Sequence, residues 1–441
     1  MNETDRAQDD RAQRLSAGAG VASASEVPTP SAARGGQAAS LWRNRDYMLL
    51  WAGQVASILG SASVSKIYPL LILAITGSAA QAGVAAALQA LSYLVFSLPA
   101  GALIDRWDRK RVMILCDLGR GLAVSSIALA IGLDALSIWH IYAVALVNGS
   151  LFVFFNIAEA AVLPKVVPAA QLPNAVGQNE AAFGAAMIVG PSVGTSLFQL
   201  VNHLAPFVLN AVLFFVSLVS LRRIRTSFRT TQVESRKSLR GEIVEGLRWI
   251  LDRPLIRYLA LLCGGMNMMI AATPLLLIMS AKQLGAQDME IGVLFSVGGL
   301  GGILGSMLAA RLLRRFGFRT LIVRSVVLIA LIFPLYAVAP ATWLLALLFG
   351  CIYMTYTVYS VVQYSYRLTL IPDALQGRVN SSFRLVAFGF DPLGALLSGL
   401  IIEYWGVAHA VGFISVLVTF IAVTAAINRP LRELPPIQAS T

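Results

Sequence analysis

Gly101-Ala102-Leu103-Ile104-Asp105-Arg106-Trp107-Asp108-Arg109-Lys110-Arg111 separates two apolar runs, 81 to 103 and 112 to 132. Each run has the length a helix needs to cross the hydrocarbon core of a bilayer, roughly 20 residues. The seam between them carries Arg106, Arg109, Lys110 and Arg111 within one short turn. A hydrophobic hairpin with so basic a turn has one favoured placement, with the turn held in the cytosol.

Working outward from this hairpin, the same alternation fills the chain. Of 441 residues, 57% are hydrophobic and 13% charged, whereas a soluble protein carries about 25% charged residues. Apolar runs occur near 47 to 75, 81 to 103, 112 to 132, 138 to 163, 176 to 200 and 205 to 224. A second six follow near 255 to 282, 289 to 312, 320 to 339, 342 to 367, 378 to 402 and 406 to 428. The expected fold is therefore an all-α membrane protein of twelve spans. The net charge of +12 comes from short clusters between spans, which is a topology signal rather than a nucleic-acid surface. Cys116, Cys263 and Cys351 lie far apart within or beside apolar runs, a spacing that gives neither a disulfide framework nor a metal site.

Placing the amino end in the cytosol puts Arg43, Arg45, the 106–111 cluster, Lys165, the 222–257 linker, Arg311, Arg314, Arg315, Arg319, Arg378, Arg429 and Arg432 on one side. The other side receives Lys282 with Asp134, Asp288, Glu290 and Glu403. Only an even number of spans divides the charge this cleanly, so both ends are expected in the cytosol. Residues 1–40, rich in Ala, Ser, Gly and Gln without an apolar core, are expected to form a disordered cytosolic tail. The remainder divides into a six-helix bundle at 41–224, a cytosolic linker at 225–253, a second bundle at 254–428 and a short tail at 429–441. In the linker, Ile243, Val244, Leu247, Ile250 and Leu251 oppose Glu242, Glu245, Arg248 and Arg253 at helical spacing. This is either an amphipathic helix on the lipid interface or a polar linker helix free of lipid.

The two halves echo each other weakly. Span four ends in Glu159-Ala160-Ala161-Val162-Leu163-Pro164 and span ten in Arg367-Leu368-Thr369-Leu370-Ile371-Pro372; Gly190-Pro191 in span five parallels Asp391-Pro392 in span eleven. Paired six-helix halves related by a pseudo-two-fold axis are a common way to build a midplane site with two access states. The run Gly190-Pro191-Ser192-Val193-Gly194 also fits the Gly-x-Ser-x-Gly hydrolase elbow, but that motif needs a strand, a turn and a helix. Gly298-Gly299-Leu300-Gly301-Gly302 with Gly305 has no flanking strand, and its spacing of four reads as a helix-packing face.

The order of residues in the 101–111 turn resembles the signature loop of the major facilitator superfamily, Gly-x-Leu-x-Asp-Arg-x-Gly-Arg-Lys, with Asp108 in place of the second glycine. Together with Glu242-Ile243-Val244-Glu245-Gly246-Leu247-Arg248-Trp249-Ile250, the turn and its flanks resemble the third branch of the drug:proton antiporters, which includes macrolide efflux proteins and the enterobactin exporter. The likeness covers nearly all of the chain after residue 41. It implies a bacterial cytoplasmic-membrane exporter with alternating access, driven by the proton gradient and needing no cofactor. By motif position, Gly101, Asp105, Arg106, Arg109 and Arg111 form the signature loop, with Asp105 latching towards Arg378 and Arg384 at the start of span eleven. Gly190, Pro191 and Gly194 match part of the span-five antiporter motif, where Ala186 and Thr195 replace glycines. The span-four arginine of that family is Ala145 here, next to Asn148-Gly149, so proton coupling must use other groups or be absent.

Ionisable residues at membrane depth are costly and mark function by default. They are Lys66, Glu159, Glu180, Arg367, Arg384 and Asp391. Glu159 and Arg367 stand in equivalent places and form either an inner gate, closing as an ion pair when the cavity opens outward, or a snorkelling pair at the interface. Asp391 is expected to take the proton. Lys66 either neutralises it, attracts an anionic cargo or reaches outer headgroups. The cavity is expected to draw on Tyr68, Met266, Asn267, Tyr353 and Tyr356, an adaptable apolar and aromatic wall suited to a bulky hydrophobic or amphipathic cargo. A siderophore or lysolipid is the alternative cargo. A membrane-embedded enzyme lacks support, since His140, His203 and His409 are isolated, and no metal ligand set stands out. The expected partners are a small-molecule substrate, protons and lipid, without nucleic acid, around a monomer.

Overall fold

The computed structural model describes residues 41–104, 106–168, 171–226, 228, 239–371 and 375–428. Twelve helices among them are long and apolar enough to cross a membrane: Arg45–Thr76, Ala79–Ser97, Arg109–Gly132, Ile138–Val166, Leu172–Leu200 and Ala205–Arg223, then Pro254–Gln283, Asp288–Phe316, Phe318–Val338, Thr342–Leu370, Arg378–Trp405 and Val407–Ile427. They are numbered here as spans one to twelve. No strand occurs among the described residues. The expected twelve-span, all-α architecture is thus the observed one, and the protein is a multi-pass membrane protein.

Among the first six spans, one packs on five and six, two on four, and three on four and six. Among the last six, seven packs on eleven and twelve, eight and nine on ten, and nine on twelve. The two largest pairings that join the sets are span two with eleven and span five with eight, with a smaller contact between spans two and seven.

Small residues make these contacts possible. Without a hydrophobic force between helices in lipid, association depends on close backbone approach. A Cβ added at Gly194 would lie 1.8 Å from the Ser63 carbonyl oxygen, and one at Gly190 would lie 2.5 Å from the Ala62 Cβ. The span-five glycines are therefore where span one touches span five. In span eight, a Cβ at Gly301 or Gly305 would lie 2.2 or 2.3 Å from the Gly350 or Met354 carbonyl of span ten, which bears out the packing-face reading of that glycine run. Gly101 of the signature loop differs: nothing lies within 4 Å of its Cβ position, so no close helix approach is made there in this conformation.

The joints between the two sets of spans lie towards the end of the bundle away from the basic loops. Gly83 and Gly399 meet there, with a Gly83 Cβ 2.7 Å from the Ala395 carbonyl and a Gly399 Cβ 2.6 Å from the Ala79 carbonyl. In the span five–eight joint, a Gly292 Cβ would lie 1.9 Å from Thr195 Oγ1. Two side chains then cap helix starts across the joints. Glu403 of span eleven accepts from the backbone N–H groups of Ala79 (2.8 Å) and Ala80 (3.4 Å) at the start of span two. Gln199 of span five accepts from Met289 N at the start of span eight (2.7 Å) and donates to Gln287 (2.6 Å). Towards the basic end the fit loosens: Gly184 meets only the tip of Ile303, and Gly177 has nothing within 4 Å.

The linker helix, Leu239–Leu251, does not present one apolar face to lipid. Gly246, Trp249 and Ile250 are buried while Val244 and Leu251 are exposed. The buried side rests on the start of span eleven, where a Gly246 Cβ would lie 2.5 Å from the Arg378 carbonyl, and Glu245 pairs with Arg378 at 2.8 Å.

Glu403 places a carboxylate at the positive end of span two, a contact that stabilises this closed end. Glu403→Ala is expected to shift the balance towards opening there by up to about fivefold, read as longer inter-half distances by pulsed EPR between spin labels at that end.

Candidate functional site

Between the two-residue joints and the basic end, the helices leave two adjoining cavities. The larger, about 280 Å³, is lined by Gln89 and Tyr93 of span two, Gly149 and Phe152 of span four, and Phe388 and Asp391 of span eleven, with Ala86 and Ala90. The smaller, about 40 Å³, continues past Ala86 and Gln89 to Ser65, Tyr68 and Pro69 of span one, Ala82 and Ala85 of span two, and Ala145 and Asn148 of span four.

Both cavities sit beside breaks in helices. Span one divides between Ser65 and Ile67, with Lys66 between the pieces. There Ser63 and Ser65 donate to the carbonyls of Gly60 (2.7 Å) and Ala62 (3.0 Å), three residues back, competing with the helical ladder. Span eleven divides at Gly389-Phe390, and Asp391 opens its second piece. Pro392 suits a helix start, where no N–H is required of it. Irregular backbone at membrane depth is tolerated only against protein or a cavity.

Asp391 is thus a carboxylate on the cavity wall at a helix start, and its Oδ1 is buried without a hydrogen-bond partner. Lys66 does not pair with it; its Nζ lies 4.9 Å from the centre of the Phe295 ring of span eight. The expected neutralising pair is not formed in this structure, because the break in span one turns Lys66 towards span eight. Arg384, on the piece of span eleven before Asp391, donates to the Tyr93 hydroxyl across the two halves. The Tyr93 and Phe388 rings meet edge-on at 5.4 Å, closing the cavity wall.

The groups near Glu159 and Arg367 come from their own halves. Glu159 has two acids as electrostatic neighbours, Asp117 and Glu180, whose like charge repels it, and Glu180 itself is exposed. Arg367 is buried with its guanidinium 3.7 Å from the Phe383 ring centre. This conformation does not bring the two together as a gate. Four of the expected cavity residues also lie elsewhere. Tyr356 donates to Asn267 (2.8 Å), Asn267 donates to the Ala387 carbonyl (3.2 Å), and Met266 is fully buried. Tyr353 packs on Phe349 with ring centres 4.5 Å apart. They tie spans seven, ten and eleven together and do not line either cavity described; of that set, Tyr68 does.

In the signature loop Asp105 lies outside the described residues. Asp108 proves to be the cap of span three, accepting from Lys110 N (3.0 Å) and Arg111 N (3.3 Å). Arg109 donates to the Ala161 carbonyl at the end of span four (3.0 Å), and Lys110 to the Ile224 carbonyl after span six (2.5 Å). Arg106 is exposed and Arg111 stands 3.9 Å from Asp108. Arg378 is engaged by Glu245 of the linker helix.

The structure adds one charged pair that sequence reading passed over: Asp117 and Arg120 of span three, exposed 0% and 3%. Arg120 donates from Nε to Asn148 Oδ1 of span four (2.9 Å) and from its other nitrogens to Ser61 Oγ (2.9 Å) and Ser57 Oγ (3.4 Å) of span one. Its guanidinium also lies 4.2 Å from the Phe214 ring centre of span six. Asp117 accepts from Ser217 Oγ (2.6 Å), while its other oxygen is buried without a partner. The signal was available as acid and base one helical turn apart in an apolar run. No cluster of three or more His, Cys, Asp or Glu able to hold a metal occurs among the described residues.

The Major Facilitator Superfamily matches residues 50–390. The chain belongs to this superfamily. Among its relatives, the multidrug efflux pump Tap of Mycolicibacterium fortuitum is 26% identical over 88% of this chain and 96% of its own. Macrolide efflux protein A of Streptococcus pyogenes is 25% identical over 89% and 98%, and the enterobactin exporter EntS of Shigella boydii is 25% identical over 80% and 84%. Among solved structures, the nucleoside transporter NupG superposes with a TM-score of 0.72 at 14% identity, covering 89% of this chain and all of its own. A bacterial homologue of the iron transporter ferroportin does so at 0.67 and 16%, covering 86% and 98%. Membership of this superfamily points to a transporter.

Removing one member of a buried charged network strands the rest. Arg120→Met is expected to cost about 3 kcal/mol or more of stability, read as a lower melting temperature in detergent, and adding Asp117→Asn is expected to recover part of the loss.

Proposed function

We propose that this chain is a secondary active exporter of hydrophobic or amphipathic small molecules, working by proton antiport through alternating access between two six-helix halves. Asp391 carries the reading: one of its oxygens is buried without a partner on the wall of a central cavity whose other walls are largely apolar and aromatic. A carboxylate so placed is costly to keep charged without a counter-ion. A proton or a cationic cargo group relieves that cost, and exchange of one for the other is the elementary step of antiport.

The relatives named for drug and macrolide efflux support an apolar cargo, and the aromatic pair Tyr93 and Phe388 beside Asp391 gives it a surface. The siderophore or lysolipid alternative is less favoured, because an anionic cargo would face Asp391. With the basic loops in the cytosol, as the distribution of Arg and Lys supports, the cavity lies on the cytosolic side of the seal made by Gly83, Gly399 and Glu403. In this reading both chain ends are cytosolic and the protein works in a bacterial cytoplasmic membrane. The same placement fits uptake of cargo from within. The monomer is the proposed working unit.

The test uses inverted membrane vesicles with an imposed proton gradient and a panel of lipophilic compounds, some cationic. Wild type is expected to release protons in step with cargo uptake. Asp391→Asn is expected to bring that release down to the level of empty vesicles. A variant that kept the wild-type pH dependence of transport would remove Asp391 from the coupling step.

A further inference from the structure

The smaller cavity has a directional chemistry that the proton-coupled reading does not use. Arg120 Nε donates to the side chain of Asn148. A guanidinium has no acceptor, so the carboxamide must turn its oxygen to Arg120 and its NH₂ away. Asn148 lines the recess, and its amide is thereby fixed as a donor. Tyr68, on the neighbouring wall, has a buried hydroxyl whose polar neighbour is the Asn148 carboxamide, close enough to interact with it but outside hydrogen-bonding geometry, so its own O–H stays unpaired. Two neutral donors therefore border a space of about 40 Å³, with Ala82, Ala85 and Ala145 as apolar walls.

Buried polar groups left unpaired are costly, and a ligand atom that pairs with them is selected strongly. The atom that suits two converging donors is an oxygen with two lone pairs and no proton of its own, as in a carbonyl group. We propose that the recess between Tyr68 and Asn148 binds the carbonyl oxygen of a neutral cargo group, a ketone, ester or lactone, while the cargo's apolar body occupies the larger cavity beyond Gln89. Arg120 is a positioning residue here: it touches no cargo and sets which way Asn148 points.

The proposal deepens the cavity reading above and rests on it, but it needs no proton step. The test is accordingly an equilibrium one, with the full chain purified in detergent at constant pH and dialysed against 9-fluorenone or fluorene. These compounds share ring size and shape and differ by a carbonyl against a methylene. Wild type is expected to prefer fluorenone by about twenty-five-fold, since two net hydrogen bonds each contribute about a fivefold factor. Tyr68→Phe, which removes one oxygen, is expected to lower the preference about fivefold, and Asn148→Leu to lower it similarly. A wild type that binds the two compounds alike, or binds neither, overturns the proposal; so does a preference unchanged in Tyr68→Phe. A recess filled by water alone predicts the first of these results. Loss of proton coupling in Asp391→Asn with the fluorenone preference intact would separate the two readings, and the reverse result would sink this one alone.

Discussion

In hydrocarbon, a backbone N–H or C=O has no water to turn to, and each unmade hydrogen bond costs several kcal/mol. That constraint governs the whole molecule. It forces the chain into continuous helices nearly everywhere and makes each interruption informative. The two interruptions that border the cavities, at Lys66 in span one and at Gly389-Phe390 in span eleven, are the places where the ladder is given up. Both are buttressed: Gly190 and Gly194 of span five press on span one just before its break, and the Phe390 ring would stand 2.5 Å from a Cβ on Gly264 of span seven.

The same scarcity of partners explains how charge is housed. Arg120 and Asp117 are one turn apart in span three, yet each is solvated chiefly by neutral groups from other spans: Asn148, Ser57 and Ser61 for the guanidinium, Ser217 for the carboxylate. The arrangement satisfies the guanidinium on several sides and leaves one Asp117 oxygen without a partner. Dispersing the partners over spans one, four and six makes the pair a knot that binds the first half together. In the second half, Tyr356, Asn267 and the Ala387 carbonyl join spans seven, ten and eleven with uncharged groups.

How much of this was readable beforehand follows from which forces leave a local trace. Span number and the side of the basic loops were legible because lipid thickness and charge act on each segment separately, and all twelve runs reappear within a few residues. The glycine face of span eight was legible for the same reason, since a spacing of four is a property of one helix. Partner choice was not. Met266 and Tyr353 sit in apolar runs that look alike whether they face a cavity or a core. Lys66 and Asp391 invited pairing by charge alone, until the break in span one sent the lysine to Phe295. Asp108, read as a departure from a glycine, is a helix cap whose value shows only once the helix start is fixed. Arg120 and Asp117 were overlooked because an apolar run dense in Leu, Ile and Ala hid them, although acid and base one turn apart is a pattern that single-helix reasoning can detect.

The joints at the end away from the basic loops show why such a bundle can have more than one stable arrangement. Spans two and eleven meet backbone against backbone through Gly83 and Gly399, and spans five and eight bring the Gly292 backbone against the short Thr195 side chain and the Pro191 carbonyl. Surfaces of that kind can part with little disentangling of side chains, and what they lose is dispersion, the polar caps from Glu403 and Gln199, and the bonds that Ser296 of span eight makes to Ser192 and to the Ile188 carbonyl of span five. The caps are equivalent under the pseudo-symmetry: an eleven-to-two contact in one joint and a five-to-eight contact in the other. Because each cap ends on a helix start, whose exposed N–H groups can turn to water when the joint opens, the polar cost of parting is small at the protein surface. It would be large a few turns deeper, where Asp391 and Tyr68 lie without such relief. In the alternating-access reading proposed above, a seal that is cheap to break at the rim, above polar groups that are expensive to leave bare at the centre, would let occupancy of the cavity govern which end of the bundle opens.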